Sequence, residues 1–177
     1  MALVTKSPSI NEYEDFRHAA CGLVTEVGEI IDQYKRHWFY KKDLDKKNLA
    51  EEIGDVLWYL AIGYYALGIE IEEDPSEALA ETTRPEMDMI LAKLVRYSSN
   101  VFSVAFAYPL EAMESNLDYD LRQLMYFLHY FAEEQGTSIM EAATANVRKL
   151  AKRYPDGFSS FHALNRNKEH ELSHIEG

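Results

Sequence analysis

Residues 22–32, GLVTEVGEIID, carry the apolar spacing of a buried amphipathic helix, yet Glu26 and Glu29 fall three apart on the side that holds Leu23 and Ile30. Residues 51–60, EEIGDVLWYL, repeat the pattern: Glu52 and Asp55 share a stripe with Val56 and Tyr59. Burying an unpaired carboxylate is costly, and several close together cost more, because like charges repel strongly in a low dielectric. Protonation, a buried Lys or Arg, or a bound cation would each relieve that cost. No basic residue stands between Glu26 and Glu29 or between Glu52 and Asp55, and the nearest bases (Lys35, Arg36, Lys41, Lys42, Lys46 and Lys47) lie at the connecting end. A hard divalent cation held by oxygen ligands, Mg²⁺ or Mn²⁺, fits this arrangement. The competing reading places these acids at the edge of the stripe, facing water. One E-x-x-E on a helix carries little weight, because glutamate is a common helix former. Two such pairs on neighbouring helices carry more.

The rest of the chain is helical by the same test. Apolar residues recur at three- and four-residue spacing over 11–37, 47–67, 87–107, 118–135 and 138–153. Asn11 and Ser138 stand where N-caps belong, and Gly68 and Gly136 where helices stop. Pro8, Pro75, Pro85, Pro109 and Pro155 all fall near proposed boundaries. Residues 68–87 form a connector with a short helix, and 166–177 are a polar tail. No run alternates as a strand would. The expectation is an all-α bundle of about five main helices in a single domain, 1–177.

That domain divides into an acid-bearing half, 11–73, and a second half, 87–165. Residues 55–73 set over 123–141 bring Trp58 over Tyr126, Leu60 over Leu128, Gly68 over Gly136 and Glu73 over Glu141. Either two amphipathic helices ending in glycine look alike by chance, or the chain is a degenerate internal duplication, a fused pseudo-dimer. In that register Asp120 stands for Glu52 and Gln123 for Asp55, and LVRYSSN (94–100) supplies no acids. On the duplication reading, 47–67 packs beside 118–135 and the counterpart site holds no metal.

Composition narrows the function classes. The 177 residues are 47% hydrophobic and 12% aromatic, enough for a sizeable core. A net charge of -12 argues against binding polymeric nucleic acid or an anionic membrane, both of which favour basic patches. The lone Cys21, in an apolar face, permits no internal disulfide, and no apolar run reaches spanning length. A cytoplasmic location is expected.

The segments HAACGLVTEVGEIID (18–32), KRHWFYKKDLDKKNLAEEIGDVLWYLA (35–61) and ANVRKLAKRYPDGFSSFHALNRN (145–167) together resemble the MazG-like family of all-α nucleoside triphosphate pyrophosphohydrolases. Its mark is E-x-x-E, a spacer, then E-x-x-D; here 22 residues separate Glu29 from Glu52. The resemblance implies that Glu26, Glu29, Glu52 and Asp55 are catalytic and hold Mg²⁺, with Mn²⁺ a substitute. It also implies that Lys149 and Arg153 bind substrate phosphates. The activity implied is Mg-dependent hydrolysis of (d)NTP to (d)NMP and pyrophosphate, usually in a homo-oligomer. The long middle segment departs from compact members of the family; on the duplication reading it supplies within one chain what a second subunit supplies elsewhere.

Other residues divide between roles. Lys149 and Arg153, one turn apart, suit a polyphosphate, although a solvated basic face at a helix C-terminus would look the same. Lys35, with Lys41 and Lys42, adds to the phosphate field or lines a solvated turn. Trp58, Tyr59 and Tyr154 are base-stacking candidates for which core packing is the simpler account. His18 either supports a ligating acid or is an ordinary core histidine. A di-iron bundle would need Glu-x-x-His pairs on core helices, and Glu171 with His174 lies in the tail. The alternative to an enzyme is a non-catalytic helical interaction module with a structural cation site, suggested by Phe102, Phe106 and Tyr108.

Overall fold

The computed structural model describes residues 12–71, 84–107 and 114–154, with the side chains of 114–116 excepted. Five helices account for nearly all of them: α1 (Glu12–Tyr40), α2 (Lys46–Ala66), α3 (Met87–Ala107), α4 (Glu114–Gln135) and α5 (Ile139–Arg153). The all-α expectation holds, and the described residues include no strand. No described helix is long and apolar enough to cross a membrane. The Asn11 cap, the connector helix, four of the prolines (Pro85 is the exception), Tyr108 and the 166–177 tail lie outside the described residues.

The helix ends follow local chemistry. Ser138 and Glu141 form a reciprocal capping box at the start of α5, each side chain taking the other's backbone N–H. Asp45 caps α2 by accepting from the Asn48 N–H. Helices α2 and α4 end in the same way. Gly68 and Gly136 adopt φ of 65° and 79°. The next N–H reaches back to Tyr64 O in one case (2.9 Å) and Ala132 O in the other (3.1 Å). These equivalent closures fall on the residue pairs that the internal register aligns. Helix α1 runs three residues past its expected end, because Trp38 packs edge-on against Tyr34 with centroids 5.4 Å apart. It stops at Lys41, which takes a left-handed φ of 56°.

The core is continuous. Phe16, Leu23 and Ile30 of α1 meet Leu49, Ile53 and Leu60 of α2, Ile90 and Leu94 of α3, and Leu117, Leu121, Leu124 and Phe131 of α4, all fully buried. Helix α1 packs against α2 and α3, α4 against α3 and α2, and α5 lies chiefly on α2. The expected neighbours therefore meet: α2 lies beside α4. Inside the bundle, Gln135 Nε2 donates to the Tyr34 hydroxyl at 3.0 Å, so this buried polar pair is satisfied.

Buried Asp120, which the internal register sets against Glu52, accepts from Asn100 Nδ2 at 3.4 Å. Burial pushes its carboxyl up, while the Asn100 contact and nearby Arg96 pull it down. Asp120 is thus met by an amide and a nearby guanidinium.

Candidate metal centre

Helices α1 and α2 run antiparallel and turn their acids toward each other. Carboxylate oxygens of Glu26, Glu52 and Asp55 lie within 4.8 Å of one another, the only such group of three among the described residues. Glu29 stands outside this trio. It is exposed, on the edge of the stripe, yet near enough to push on Glu26 and Glu52. The two sequence readings thus divide by residue: three acids converge, and one faces water.

Each carboxylate of the trio is held. Asn48 Nδ2 donates to Glu52 Oε1 at 2.6 Å, and Gln33 Nε2 steadies Asn48 Oδ1 at 2.5 Å. Thr25 Oγ1 contacts both Glu26 Oε1 (3.2 Å) and the Gly22 carbonyl (2.9 Å). Asp55 is clasped from α5: Lys149 Nζ reaches its two oxygens at 2.7 and 2.6 Å, and Asn146 Nδ2 donates to the first of them. Lys149 therefore comes from the same chain as the acids it meets. It is the basic partner that the neighbouring sequence lacked.

The electrostatics follow from this crowding. Burial, opposed by the Asn48 contact but reinforced by Glu26, Asp55 and Glu29, pushes Glu52 up to about 7. Burial, then the charge of Asp55, also raises Glu26. Tyr59 is raised by burial and then by Glu26 and Asp55, which places its ring beside the acids. A site whose own carboxylates resist ionising together is suited to a divalent cation. Three carboxylates this close together could hold such a cation through oxygen ligands.

Other candidates lie elsewhere. Lys35, nine residues along α1 from Glu26 and so about 13 Å away by helical rise, pairs with Asp32. Arg153 is exposed at the end of α5, one turn beyond Lys149, and Tyr154 follows it, close enough to Tyr59 to influence it. His18 packs edge-on against Tyr59, ring centroids 5.5 Å apart. Phe102 and Phe106 stack on each other at 4.6 Å, with the Arg17 guanidinium over Phe106. Between α2 and α5 lies a cavity of about 340 Å³, lined by Lys47, Ala50, Glu51, Ala145, Asn146 and Lys149 among others. Asn48, Gln33 and Asn146 were not among the sequence candidates, and only their one-turn offsets from Glu52 and Lys149 could have marked the first and last of them.

Gly54 sets the approach of α5. A Cβ there would sit 2.9 Å from Asn146 Cβ and 3.0 Å from the Ala142 carbonyl oxygen. Backbone cannot swing aside as a side-chain tip can. Gly54→Ala is expected to cost about 1–3 kcal/mol of stability by overpacking and to loosen the clasp on Asp55. Urea melts check the first effect; an unchanged midpoint would mean that α5 does not seat on Gly54.

Residues 16–80 fit the model of the MazG nucleotide pyrophosphohydrolase domain. No curated protein and no solved structure matches the chain. The matched segment spans both acid-bearing helices, and the three converging carboxylates all lie in it. Through residues 16–80 the chain is MazG-like.

Proposed function

We propose that this protein is a Mg²⁺-dependent nucleoside triphosphate pyrophosphohydrolase, converting (d)NTP to (d)NMP and pyrophosphate. The observation that carries this reading is the convergence of Glu26, Glu52 and Asp55 inside the MazG-like segment. These residues would hold the cation, and Mn²⁺ would substitute. When bound, the cation neutralises phosphate oxygens and draws electron density from the phosphorus under attack. Glu29, exposed beside the trio, would orient the attacking water and take its proton, or add a further oxygen to the cation. The α–β phosphoanhydride bond breaks, and the water's oxygen ends on one of the two products.

Lys149 and Arg153 would bind the phosphates, arginine adding a forked donor. Tyr154 and, from farther along α1, Lys35 are the remaining candidates for substrate contact. The cavity beside Lys149 would give room for part of the nucleotide, its lining made of alanines and polar side chains together. A homo-oligomer and a cytoplasmic location belong to the same proposal. A panel of ribo- and deoxyribonucleoside triphosphates incubated with Mg²⁺ should release pyrophosphate from at least one. Absence of pyrophosphate from every triphosphate, with Mg²⁺ and with Mn²⁺, would leave the interaction module as the better account.

A further inference from the structure

Lys149 meets two demands that one ammonium cannot satisfy together. Its Nζ lies 2.7 and 2.6 Å from the oxygens of Asp55 and so covers the carboxylate that faces Glu26 and Glu52. The same side chain lines the cavity between α2 and α5. A divalent ion seated among the three acids needs an oxygen of Asp55 and repels a neighbouring ammonium. The side chain is 21% exposed and sits on the cavity wall, so it has somewhere to go.

We propose that Lys149 is a built-in counter-ion for Asp55, displaced when a divalent cation loads and thereby delivered to the cavity, where it meets substrate phosphate. This inference rests on the proposed cation site and adds an order to it. Lysine suits the exchange better than arginine: its ammonium is a compact charge on a flexible stem, whereas a guanidinium would hold both Asp55 oxygens in a rigid fork. Asn146, which also donates to Asp55, is neutral and can remain in place to orient the carboxylate toward the ion. Cation and phosphate binding are then coupled in the same direction, and the coupling is reciprocal. Phosphate that draws Lys149 into the cavity uncovers Asp55, and a cation on Asp55 releases Lys149.

Two measurements test the exchange. Calorimetric titration with MgCl₂ alone should show Lys149→Met binding Mg²⁺ at least about tenfold more tightly than wild type, the low end for one charge-assisted hydrogen bond. Lys152→Met, which removes the same charge from an exposed position on α5, should change the affinity less than about twofold, the small effect of a solvent-screened charge. In the wild-type protein, acetylation by an amine-reactive ester, read residue by residue by mass spectrometry, should increase several-fold at Lys149 when Mg²⁺ is added and stay constant at Lys152. Equal or weaker Mg²⁺ binding by Lys149→Met, or Lys149 labelling that Mg²⁺ does not increase, would overturn the proposal. If wild type binds no Mg²⁺ at all, the cation site itself fails. Normal Mg²⁺ binding without the predicted gain sinks only the counter-ion role.

Discussion

Glu52→Gln is expected to lower pyrophosphate release by about a hundredfold or more, because even a residue that merely supports a metal ligand commonly contributes ten- to a hundredfold. The same change should remove the thermal stabilisation given by saturating Mg²⁺. A ligand at about a hundred times its Kd stabilises the native state by about 2.7 kcal/mol, or roughly 5–10 °C for a chain of this size. The metal-free protein should respond in the opposite sense. Glu52 holds its proton up to about pH 7, so near neutrality it already resembles the neutral amide that replaces it. Glutamine keeps an oxygen that can accept from Asn48 Nδ2 and removes a charge that Glu26 and Asp55 repel. The variant without Mg²⁺ should therefore melt at or above the wild-type temperature at pH 8, while losing the shift that Mg²⁺ induces. A variant that keeps the Mg²⁺ shift would remove Glu52 from the cation site.

The pH dependence follows from the same residue. In the unfolded chain Glu52 loses its proton near its ordinary 4.5, whereas in the folded protein it retains it to about 7. Between these values the folded state binds more protons, so the stability of the metal-free protein falls as pH rises through that window. Below it, both states are protonated and nothing is lost; above it, the full cost is present. The whole interval is worth about 3 kcal/mol for a dry group; at a half-exposed site, screening reduces this to about 1–2 kcal/mol. Burial of Glu26 acts in the same direction. Because Mg²⁺ must displace the Glu52 proton, its affinity should climb from pH 5.5 to about pH 7 and then level off. Melting curves with and without Mg²⁺ across that range would diverge; parallel curves would contradict the assignment.

The acid positions were legible in the sequence because period and spacing place a side chain on a face without knowledge of its partners. Gly68, Gly136 and Ser138 were legible for a related reason: caps are local chemistry, and the residues that satisfy a helix end lie within a few positions of it. Asp55 shows where such reading stops. The adjacent lysines do not reach it; its partner, Lys149, is 94 residues away and arrives on a helix whose seating depends on the absence of a Cβ at Gly54. Glu29 shows a second limit. Residues three apart on a helix differ by about 60° around the axis, enough to put Glu26 in the site and Glu29 at its rim. Spacing identifies the stripe; only the rotation of α1 against α2 decides which acid faces inward.

That rotation depends on Gly22, and its replacement should give the largest stability loss from a single added methyl. A Cβ on Gly22 would lie 2.3–2.4 Å from three ring carbons of Tyr59, too close for any real contact. These are the ring atoms nearest the Tyr59 backbone, so no rotation of the ring tip relieves the clash. Either Tyr59 leaves its place beside the acids or α1 withdraws from α2. Gly22→Ala should therefore cost about 3 kcal/mol, the upper end of ordinary overpacking, and lower the melting temperature by roughly 6–12 °C. The sign is informative, because helix propensity alone makes Gly→Ala in a helix interior stabilising by up to about 1 kcal/mol. Gly28 supplies the control: it is exposed on the same helix with nothing within 4 Å of its Cβ position, so Gly28→Ala should raise stability. The two variants differ only in what the methyl meets. Opposite shifts, with a weakened Mg²⁺ response confined to Gly22→Ala, would tie the close approach of α1 and α2 to the convergence of Glu26, Glu52 and Asp55. Equal stabilisation by both would mean that the ring of Tyr59 does not rest on Gly22 and that another contact sets the distance between the carboxylates.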